Sequence, residues 1–204
     1  MKRKGLLLVV SGPSGAGKGT ICKEFLNNNE DVKLSVSATT RNPRDGEVDG
    51  VNYFFVTKDK FKSMIVNNEL LEHAQIYDNF YGTPKAAILE NLENGHDVVL
   101  EIEMQGARQI KEVYPEGVFI FILPPSLDEL KNRIVGRGTE TEEEIAKRFS
   151  CAFEEINQIV NYDYFVVNED VSKSSKEVES IILSEKNKVS RYKNNIIAKF
   201  KEEL

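Results

Sequence analysis

The chain has 204 residues, of which 40% are hydrophobic and 29% are charged, as is typical of one globular domain with a substantial core. Its formal net charge of −6 argues against nucleic acid or an anionic membrane surface as a partner. Its two histidines are too few for a histidine-based metal cluster.

The N-terminal segment places three basic residues before a short apolar run at 5–10. This run is too short for a secretion signal, and no stretch of the chain is long enough to span a membrane. Cys22 and Cys151 lie far apart in helical patterns, so we expect buried free thiols in a reducing compartment. These features predict a cytoplasmic protein.

Dense apolar runs of strand length recur along the chain, and helical patterns separate them. The runs do not alternate with polar residues, which is typical of parallel strands covered on both faces. The pattern predicts an α/β fold with a doubly wound parallel sheet. The runs lie at 6–10, 97–102, 118–123 and 164–167, and the helical patterns lie at 18–29, 84–94, 105–113, 126–136, 141–161 and 172–200.

The first apolar run leads into a glycine-rich loop, Ser-Gly-Pro-Ser-Gly-Ala-Gly-Lys-Gly-Thr at 11–20. Glycines allow such a loop to curl so that successive N–H groups point at phosphate oxygens, and the following helix adds its positive end. Lys18 can place an ammonium against the outer phosphates. We therefore predict a nucleoside triphosphate site formed by Gly12, Pro13, Ser14, Gly15, Ala16, Gly17, Lys18, Gly19 and Thr20.

The loop departs from the usual pattern at one position. A serine or threonine that ligates magnesium usually follows the lysine, but this chain has Gly19 there and Thr20 one residue later. Adenylate kinases resemble this chain in carrying Gly-Lys-Gly-Thr, so the variant is compatible with catalysis. Whether a protein hydroxyl contacts the metal stays open.

The interval 34–82 is rich in turns and is predicted to form a small inserted β-rich unit, with β-like pieces at 34–37, 52–56 and 71–77 around a helical piece at 58–68. Arg41 and Arg44 lie three apart in a turn next to hydroxyl residues. Two guanidinium forks can nearly neutralise a phosphate dianion, so this turn is a candidate second phosphate site.

The segment Ser-Val-Ser-x-Thr-Thr-Arg-x-Pro-Arg-x-Gly-Glu at 35–47 resembles the guanylate kinases, which are P-loop nucleoside monophosphate kinases that move the terminal phosphate of ATP onto GMP. The resemblance runs nearly end to end. It continues through Tyr-x-Phe-Val at 53–56, Glu72-His-Ala, Tyr81-Gly-Thr, Gln105-Gly-Ala, Gly136-Arg-Gly and Lys147-Arg148.

The resemblance implies roles for individual residues. Those expected to hold the GMP phosphate are Arg41, Arg44, Tyr53 and Tyr81, and those expected to recognise guanine are Ser37, Glu72, Thr83 and Glu103. The chemistry agrees, because a carboxylate can accept hydrogen bonds from both N1–H and the 2-amino group of guanine. Adenine would leave that carboxylate unpaired, which can discriminate by roughly 10⁴ or more.

Two carboxylates follow the apolar run Val98–Leu100. Glu101 and Glu103 are expected to share one face at the carboxyl end of a parallel strand, where ligands bind in such sheets. Glu101 is the candidate for organising Mg²⁺ bound with ATP, through water. Many relatives have Asp-x-Asp here, so the longer Glu101 leaves direct coordination open.

The interval 126–160 is helical and contains Arg133, Arg137 and Arg148. In the family this region is a lid that closes over ATP, which implies catalytic roles for Arg137 and Arg148 beside Lys18 and Arg41, and an ATP contact for Arg133. Asn168, after the last strand, is expected near ATP. The expected organisation is one domain with a core at 1–33, 83–125 and 161–204, a GMP-binding subdomain at 34–82 and a lid at 126–160.

The expected substrates are therefore ATP and GMP, with no nucleic acid or membrane partner. Two alternatives stay open: an adenylate-kinase-like enzyme, suggested by Gly-Lys-Gly-Thr, and a non-catalytic guanylate-kinase-like module that binds proteins. The Arg-x-Pro-Arg segment argues against the first, and the intact loop with Lys18 and Arg137 argues against the second. The sequence leaves the oligomeric state and the use of dGMP open.

Overall fold

The computed structural model describes residues 3–76, 78–135 and 154–202. The described strands are β1 (Leu7–Ser11), β2 (Lys33–Leu34), β3 (Ala38–Thr39), β4 (Phe54–Phe55), β5 (Leu70–Ile76), β6 (Asn79–Pro84), β7 (Val98–Glu101), β8 (Val118–Leu123) and β9 (Tyr164–Val167). The described helices are α1 (Lys18–Asn27), α2 (Lys58–Val66), α3 (Lys85–Glu93), α4 (Met104–Val113), α5 (Leu127–Val135), a 3₁₀ turn (Gln158–Asn161), α6 (Val171–Lys186) and α7 (Val189–Glu202).

A five-stranded parallel sheet with strand order β2-β7-β1-β8-β9 forms the centre of the fold. Both of its faces are covered. Alternate residues of β1 point to opposite faces, so Leu8 and Val10 pack towards α1 and α6, whereas Leu7 and Val9 pack towards α3 and α4. The predicted α/β, doubly wound parallel sheet is confirmed.

A second sheet of four strands, in the order β4-β3-β6-β5, covers most of the interval 34–82 that was predicted to be an insertion and extends two residues beyond it, to Pro84. Its longest pairing is the antiparallel hairpin of β5 and β6, and helix α2 covers it with Phe61 and Met64. Strand β6 was not predicted. Leu34, predicted to begin the insertion, instead pairs with Val99 in the parallel sheet.

The predicted final helix at 172–200 is wrong as a single element, because α6 ends at Lys186 and α7 begins at Val189. Buried Glu185 accepts hydrogen bonds from Tyr164, Lys188 and Arg191, which hold the chain around this break. Burial alone would raise the pKa of Glu185, but these hydrogen bonds outweigh it and lower the pKa to about 2.

Most of the predicted helix at 141–161 lies outside the described residues, as do Arg137, Arg148 and Cys151. Among the helices that the structure does describe, none has both the length and the apolar character needed to cross a membrane.

Candidate active site

The glycine-rich loop lies between the end of β1 and the start of α1, at the carboxyl edge of the parallel sheet. Gly15 and Gly17 have φ values of 88° and 91°, in the left-handed region that favours glycine. Lys18 begins α1, and its ammonium donates to the carbonyl oxygens of Gly12 at 2.7 Å and Pro13 at 3.3 Å. The Lys18 ammonium therefore lies against the loop that is predicted to bind the phosphates.

Two side chains from other elements support this loop. The Asn168 amide donates to the Ala16 carbonyl at 2.7 Å, and Arg133 donates to the same carbonyl at 3.3 Å and to the backbone oxygen of Asn168 at 3.0 Å. A β-carbon at Gly17 would collide with the Asn168 amide. Arg133 and Asn168, the two residues outside the loop that were predicted to contact ATP, therefore lie directly against it. Asn168 is buried.

A carboxylate also approaches the loop from the segment that begins at residue 154. Glu155 accepts a hydrogen bond from the backbone N–H of Ser14 at 3.2 Å. Glu155 was not predicted as a site residue, because it is separated from Ser14 by 141 positions and carries no motif of its own. Its position shows that at least one loop N–H is available to an acidic acceptor.

Glu101 ends β7 beside the same loop. A β-carbon at Gly19 would lie 3.1 Å and 3.3 Å from its two carboxylate oxygens, so the glycine leaves the space that this carboxylate uses. Burial raises the pKa of Glu101, the nearby ammonium of Lys18 opposes that shift, and Glu103 adds to it. The carboxylate next to the position of the usual magnesium-binding hydroxyl is an oxygen donor that suits Mg²⁺.

The prediction that Glu101 and Glu103 share a strand face is wrong. Strand β7 ends at Glu101, and Glu103 is the N-cap residue of α4. Within the part of the chain that the structure describes, no cluster of three or more His, Cys, Asp or Glu side chains could hold a metal ion. A magnesium site here would therefore need oxygens from the nucleotide as well as from Glu101.

The predicted second phosphate site lies in the turn after β3. Arg41 donates to Glu47 at 2.8 Å, and the other oxygen of Glu47 accepts the backbone N–H of Arg44 at 2.7 Å. The hydrogen bond from Arg41 and that from Arg44 hold the pKa of Glu47 below its usual range. Glu47 was not predicted as a site residue, although it closes the Arg-x-Pro-Arg-x-x-Glu pattern.

Two tyrosines complete this second site. The rings of Tyr53 and Tyr81 meet edge to face with centroids 6.1 Å apart, and the Arg41 guanidinium lies 5.6 Å from the centre of the Tyr53 ring. Burial raises the pKa of Tyr53, the neighbouring Tyr81 and the carboxylate of Glu101 add to the shift, and Arg41 opposes it. The structure therefore groups three of the four residues predicted to hold the GMP phosphate, and the backbone of Arg44 joins them through Glu47.

The predicted guanine site centres on a buried carboxylate. Glu72 on β5 is 5% exposed and accepts a hydrogen bond from the Thr83 hydroxyl on β6 at 2.6 Å. Burial raises the pKa of Glu72 to about 7, although the Thr83 hydrogen bond opposes the shift. The backbone of Ser37 accepts the N–H of Phe54, which ties it to the same sheet. By itself the sequence would place Glu72 on a solvated strand, and the structure corrects this.

A parallel sheet with a glycine-rich loop after its first strand, and a lysine at the start of the next helix, defines a phosphate-loop nucleotide-binding protein. The family model described as guanylate kinase matches residues 4–185. The chain belongs to the guanylate kinase family.

Individual relatives agree with this assignment. The chain is 78% identical to a guanylate kinase of Clostridioides difficile, over 99% of this chain and 98% of that protein. It is 57% identical to a guanylate kinase of Caldanaerobacter subterraneus, over 100% of this chain and 98% of that protein. The crystal structure of guanylate kinase from Anaplasma phagocytophilum is 35% identical, superimposes with a TM-score of 0.78, and matches 94% of this chain and 91% of that one.

Proposed function

We propose that this protein transfers the terminal phosphate of ATP to GMP and forms ADP and GDP. The observation that carries the proposal is a pair of separate donor groups: the glycine-rich loop with Lys18, and the turn where Arg41 and Arg44 meet Glu47 beside Tyr53 and Tyr81. A single-substrate ATPase has no need for the second group. The names of the similar proteins support the same activity.

In this proposal the glycine-rich loop and Lys18 bind the phosphates of ATP, while Arg41, Arg44, Tyr53 and Tyr81 bind the phosphate of GMP. An anionic oxygen of GMP attacks the terminal phosphorus of ATP in line with the departing ADP oxygen. The acceptor is already ionised, so the protein needs no general base. Its contribution is to align two anions that would otherwise repel each other and to stabilise charge on the transferred group.

Guanine selection is assigned to Glu72, with Thr83, Ser37 and Glu103 as further contacts. An ionised Glu72 carboxylate can accept from both N1–H and the 2-amino group of guanine. The Thr83 hydroxyl already donates to one of its oxygens at 2.6 Å, which fixes where the carboxylate lies. Adenine has no hydrogen on N1 and no amine at C2, so it would leave the buried carboxylate unpaired.

Mg²⁺ is proposed to accompany ATP, with Glu101 as its protein ligand, directly or through water. When bound, the ion would neutralise phosphate charge.

Arg133 and Asn168 are proposed to contact ATP or to support its loop. The lid at 126–160, with catalytic Arg137 and Arg148, and the GMP-binding subdomain at 34–82 stay predictions. Of the lid, residues 136 to 153 lie outside the described part. Cys22 is a buried free thiol, which suits the predicted cytoplasmic location.

The test is a coupled assay for ADP formation with GMP or AMP as acceptor. We expect turnover with GMP to exceed turnover with AMP by several orders of magnitude in kcat/KM. Comparable rates with AMP would favour the adenylate-kinase-like alternative. The absence of ADP formation with either nucleotide would favour a protein-binding module.

Two variants separate the two phosphate elements. Lys18→Ala should lower kcat by about 10² or more while the protein stays folded, because the transferred phosphate loses its nearest cation. Arg41→Ala should raise the KM for GMP by at least about tenfold and leave the KM for ATP nearly unchanged. Equal increases of the two KM values in Arg41→Ala would contradict the separation of the sites.

A further inference from the structure

Helix α4 belongs to the core, yet its first turn forms a wall against the predicted guanine site. Gly106 is the third residue of this helix and is buried. A β-carbon at Gly106 would collide with the nearer carboxylate oxygen of Glu72 and lie 2.8 Å from its carboxyl carbon. Real β-carbons do not make such contacts, so any side chain at position 106 would force the carboxylate, the helix or both to move.

Glu72 has little freedom to move away. One of its oxygens accepts the Thr83 hydroxyl at 2.6 Å, and Glu72 as a whole is only 5% exposed. The pairing of β5 with β6 shifts register between Leu70 and His73, the interval that contains Glu72. Glu72 lies on the buried face of β5, because burial alternates along this strand and the neighbouring His73 is exposed.

The helix has little freedom to move away either. Gln109, which lies three residues after Gly106 and therefore on the same face, makes two hydrogen bonds to the backbone of His73. Its side-chain oxygen accepts the His73 N–H at 3.2 Å, and its amide donates to the His73 carbonyl at 2.8 Å. These bonds fix α4 against β5 one residue beyond Glu72.

We infer that Gly106 is a specificity-determining residue for the purine acceptor and that Gln109 is a positioning residue for the same contact. Gly106 provides the space in which the Glu72 carboxylate lies, and Gln109 fixes the separation between that carboxylate and the helix. This inference rests on the proposed function, because Glu72 is the residue proposed to recognise guanine. It assigns to the core helix a share in choosing the acceptor base.

The test measures kcat and KM for GMP, for ATP and for IMP, which keeps N1–H but lacks the 2-amino group of guanine. In Gly106→Ala, a displaced carboxylate should raise the KM for GMP by at least about tenfold and change the KM for ATP by less than about twofold. The preference for GMP over IMP should fall as well. A displaced carboxylate can still accept one hydrogen bond from N1–H, which both nucleotides have, but it can no longer accept a second from the 2-amino group of GMP.

Gln109→Leu keeps the volume of the side chain and removes both hydrogen bonds. We expect a smaller rise in the KM for GMP, of about threefold to tenfold, with the same loss of preference over IMP. Arg108→Ala is the matched control, since Arg108 is exposed on the same helix and pairs only with Glu112 among the contacts described. It should leave all three KM values unchanged.

A double variant tests the steric argument directly. Glu72→Asp withdraws the carboxylate from α4 by one methylene, so Gly106→Ala should cost much less in that background than in the wild type. Additive losses would overturn the inference. So would equal increases in the KM for GMP and ATP, or an unchanged preference for GMP over IMP in both Gly106→Ala and Gln109→Leu.

Thermal unfolding of every variant separates a local change from loss of the fold. Alanine favours helix over glycine, so Gly106→Ala gains helix propensity while it strains the contact with Glu72. Should Gly106→Ala not fold, Gln109→Leu decides the question through its KM ratio. A separate variant tests the proposed function itself. If Glu72→Gln kept the full preference for GMP over AMP, the proposed role of Glu72 in recognising guanine would be wrong, whatever the results at Gly106 and Gln109.

Discussion

One carboxylate, that of Glu47, connects both arginines of the proposed acceptor site. Arg41 donates to one of its oxygens from the guanidinium, and Arg44 donates to the other from the backbone N–H. The guanidinium of Arg41 also lies over the rings of Tyr53 and Phe55. The Glu47 carboxylate and the two rings therefore hold the Arg41 guanidinium in place before a phosphate binds. This lowers the entropy that the side chain loses when it binds the phosphate.

We predict that Glu47→Ala weakens the binding of GMP. Without the carboxylate, Arg41 becomes free to adopt other rotamers and the turn at Arg44 loses its acceptor. The KM for GMP should rise by about threefold to tenfold, and the KM for ATP should stay within about twofold. Steady-state kinetics with each substrate varied in turn provides the measurement. A lower KM for GMP would mean that Glu47 competes with the phosphate rather than positioning Arg41.

We predict that GMP recognition depends on pH through Glu72. Burial raises its pKa to about 7, and only the ionised form can accept both donors of guanine. As the pH falls from about 8 to about 6, the KM for GMP should increase, and below pH 7 the increase should approach tenfold per pH unit. The reason is that Glu72 is then protonated in the free protein and must release its proton when GMP binds. Calorimetry in buffers of different ionisation enthalpy should detect that proton. In Glu72→Gln this dependence should vanish, leaving only the titration of the GMP phosphate.

The stability of the free protein should show the opposite trend from GMP binding. A carboxyl group with a raised folded-state pKa stabilises the protein at pH values below its unfolded-state pKa of 4.5, and this contribution is lost as the pH rises through about 7. The melting temperature of the wild type relative to Glu72→Gln should therefore fall between pH 5 and pH 7.5. A difference that stays constant over this range would contradict the shifted pKa.

We predict that Gly19 and Glu101 are coupled. The space next to Gly19 holds the Glu101 carboxylate, so Gly19→Ser alone should crowd that carboxylate and weaken magnesium binding with ADP by about tenfold. Glu101→Asp alone should do the same by withdrawing the oxygen. The double variant should regain most of the affinity, since a loop hydroxyl and a shorter carboxylate restore both the space and the oxygens. Titration of Mn²⁺ into the ADP complex, followed by electron paramagnetic resonance, gives the affinities without catalysis. Additive losses would show that the two positions act independently.

We predict that Asn168→Ala affects ATP and spares GMP. The Asn168 amide donates to the Ala16 carbonyl at 2.7 Å and lies next to Gly17. Among the side-chain contacts described, its loss leaves that carbonyl with the longer one from Arg133. The KM for ATP should rise by about threefold to thirtyfold. A matched rise in the KM for GMP, without a change in thermal stability, would show that the amide does not act through the loop.

The regular part of the fold could be predicted because burial on two faces leaves a dense apolar signal. The predicted runs 118–123 and 164–167 match β8 and β9 residue for residue. Strand β6 carries no such signal, since Asn79–Pro84 mixes polar residues with glycine and proline and its order comes from pairing with β5. The break between α6 and α7 depends on contacts of Glu185 with distant Tyr164, which helical periodicity does not encode.

The site shows the same division. Residues that lie within a motif, such as Lys18, Arg41 and Tyr53, could be predicted because their spacing carries the chemistry. The burial of Glu72 could not be predicted, because it depends on α4, which begins 32 residues later. Gly106, Gln109 and Glu155 were also missed as site residues. Their importance arises from contacts across the fold. Gly106 lies in the Gln105-Gly-Ala motif, but the sequence does not show for which side chain this glycine leaves space.

The contact between α4 and β5 has a consequence for protein engineering. The four-stranded sheet is a contiguous stretch of sequence, and grafting it into a related kinase is an obvious way to transplant base preference. The Glu72 carboxylate, however, rests against Gly106, which lies outside that stretch. In a chimera that exchanges the sheet alone, the transplanted Glu72 carboxylate would pack against the recipient's own helix, in place of the helix that carries Gly106. The exchangeable module therefore extends through Val113, the last residue of α4.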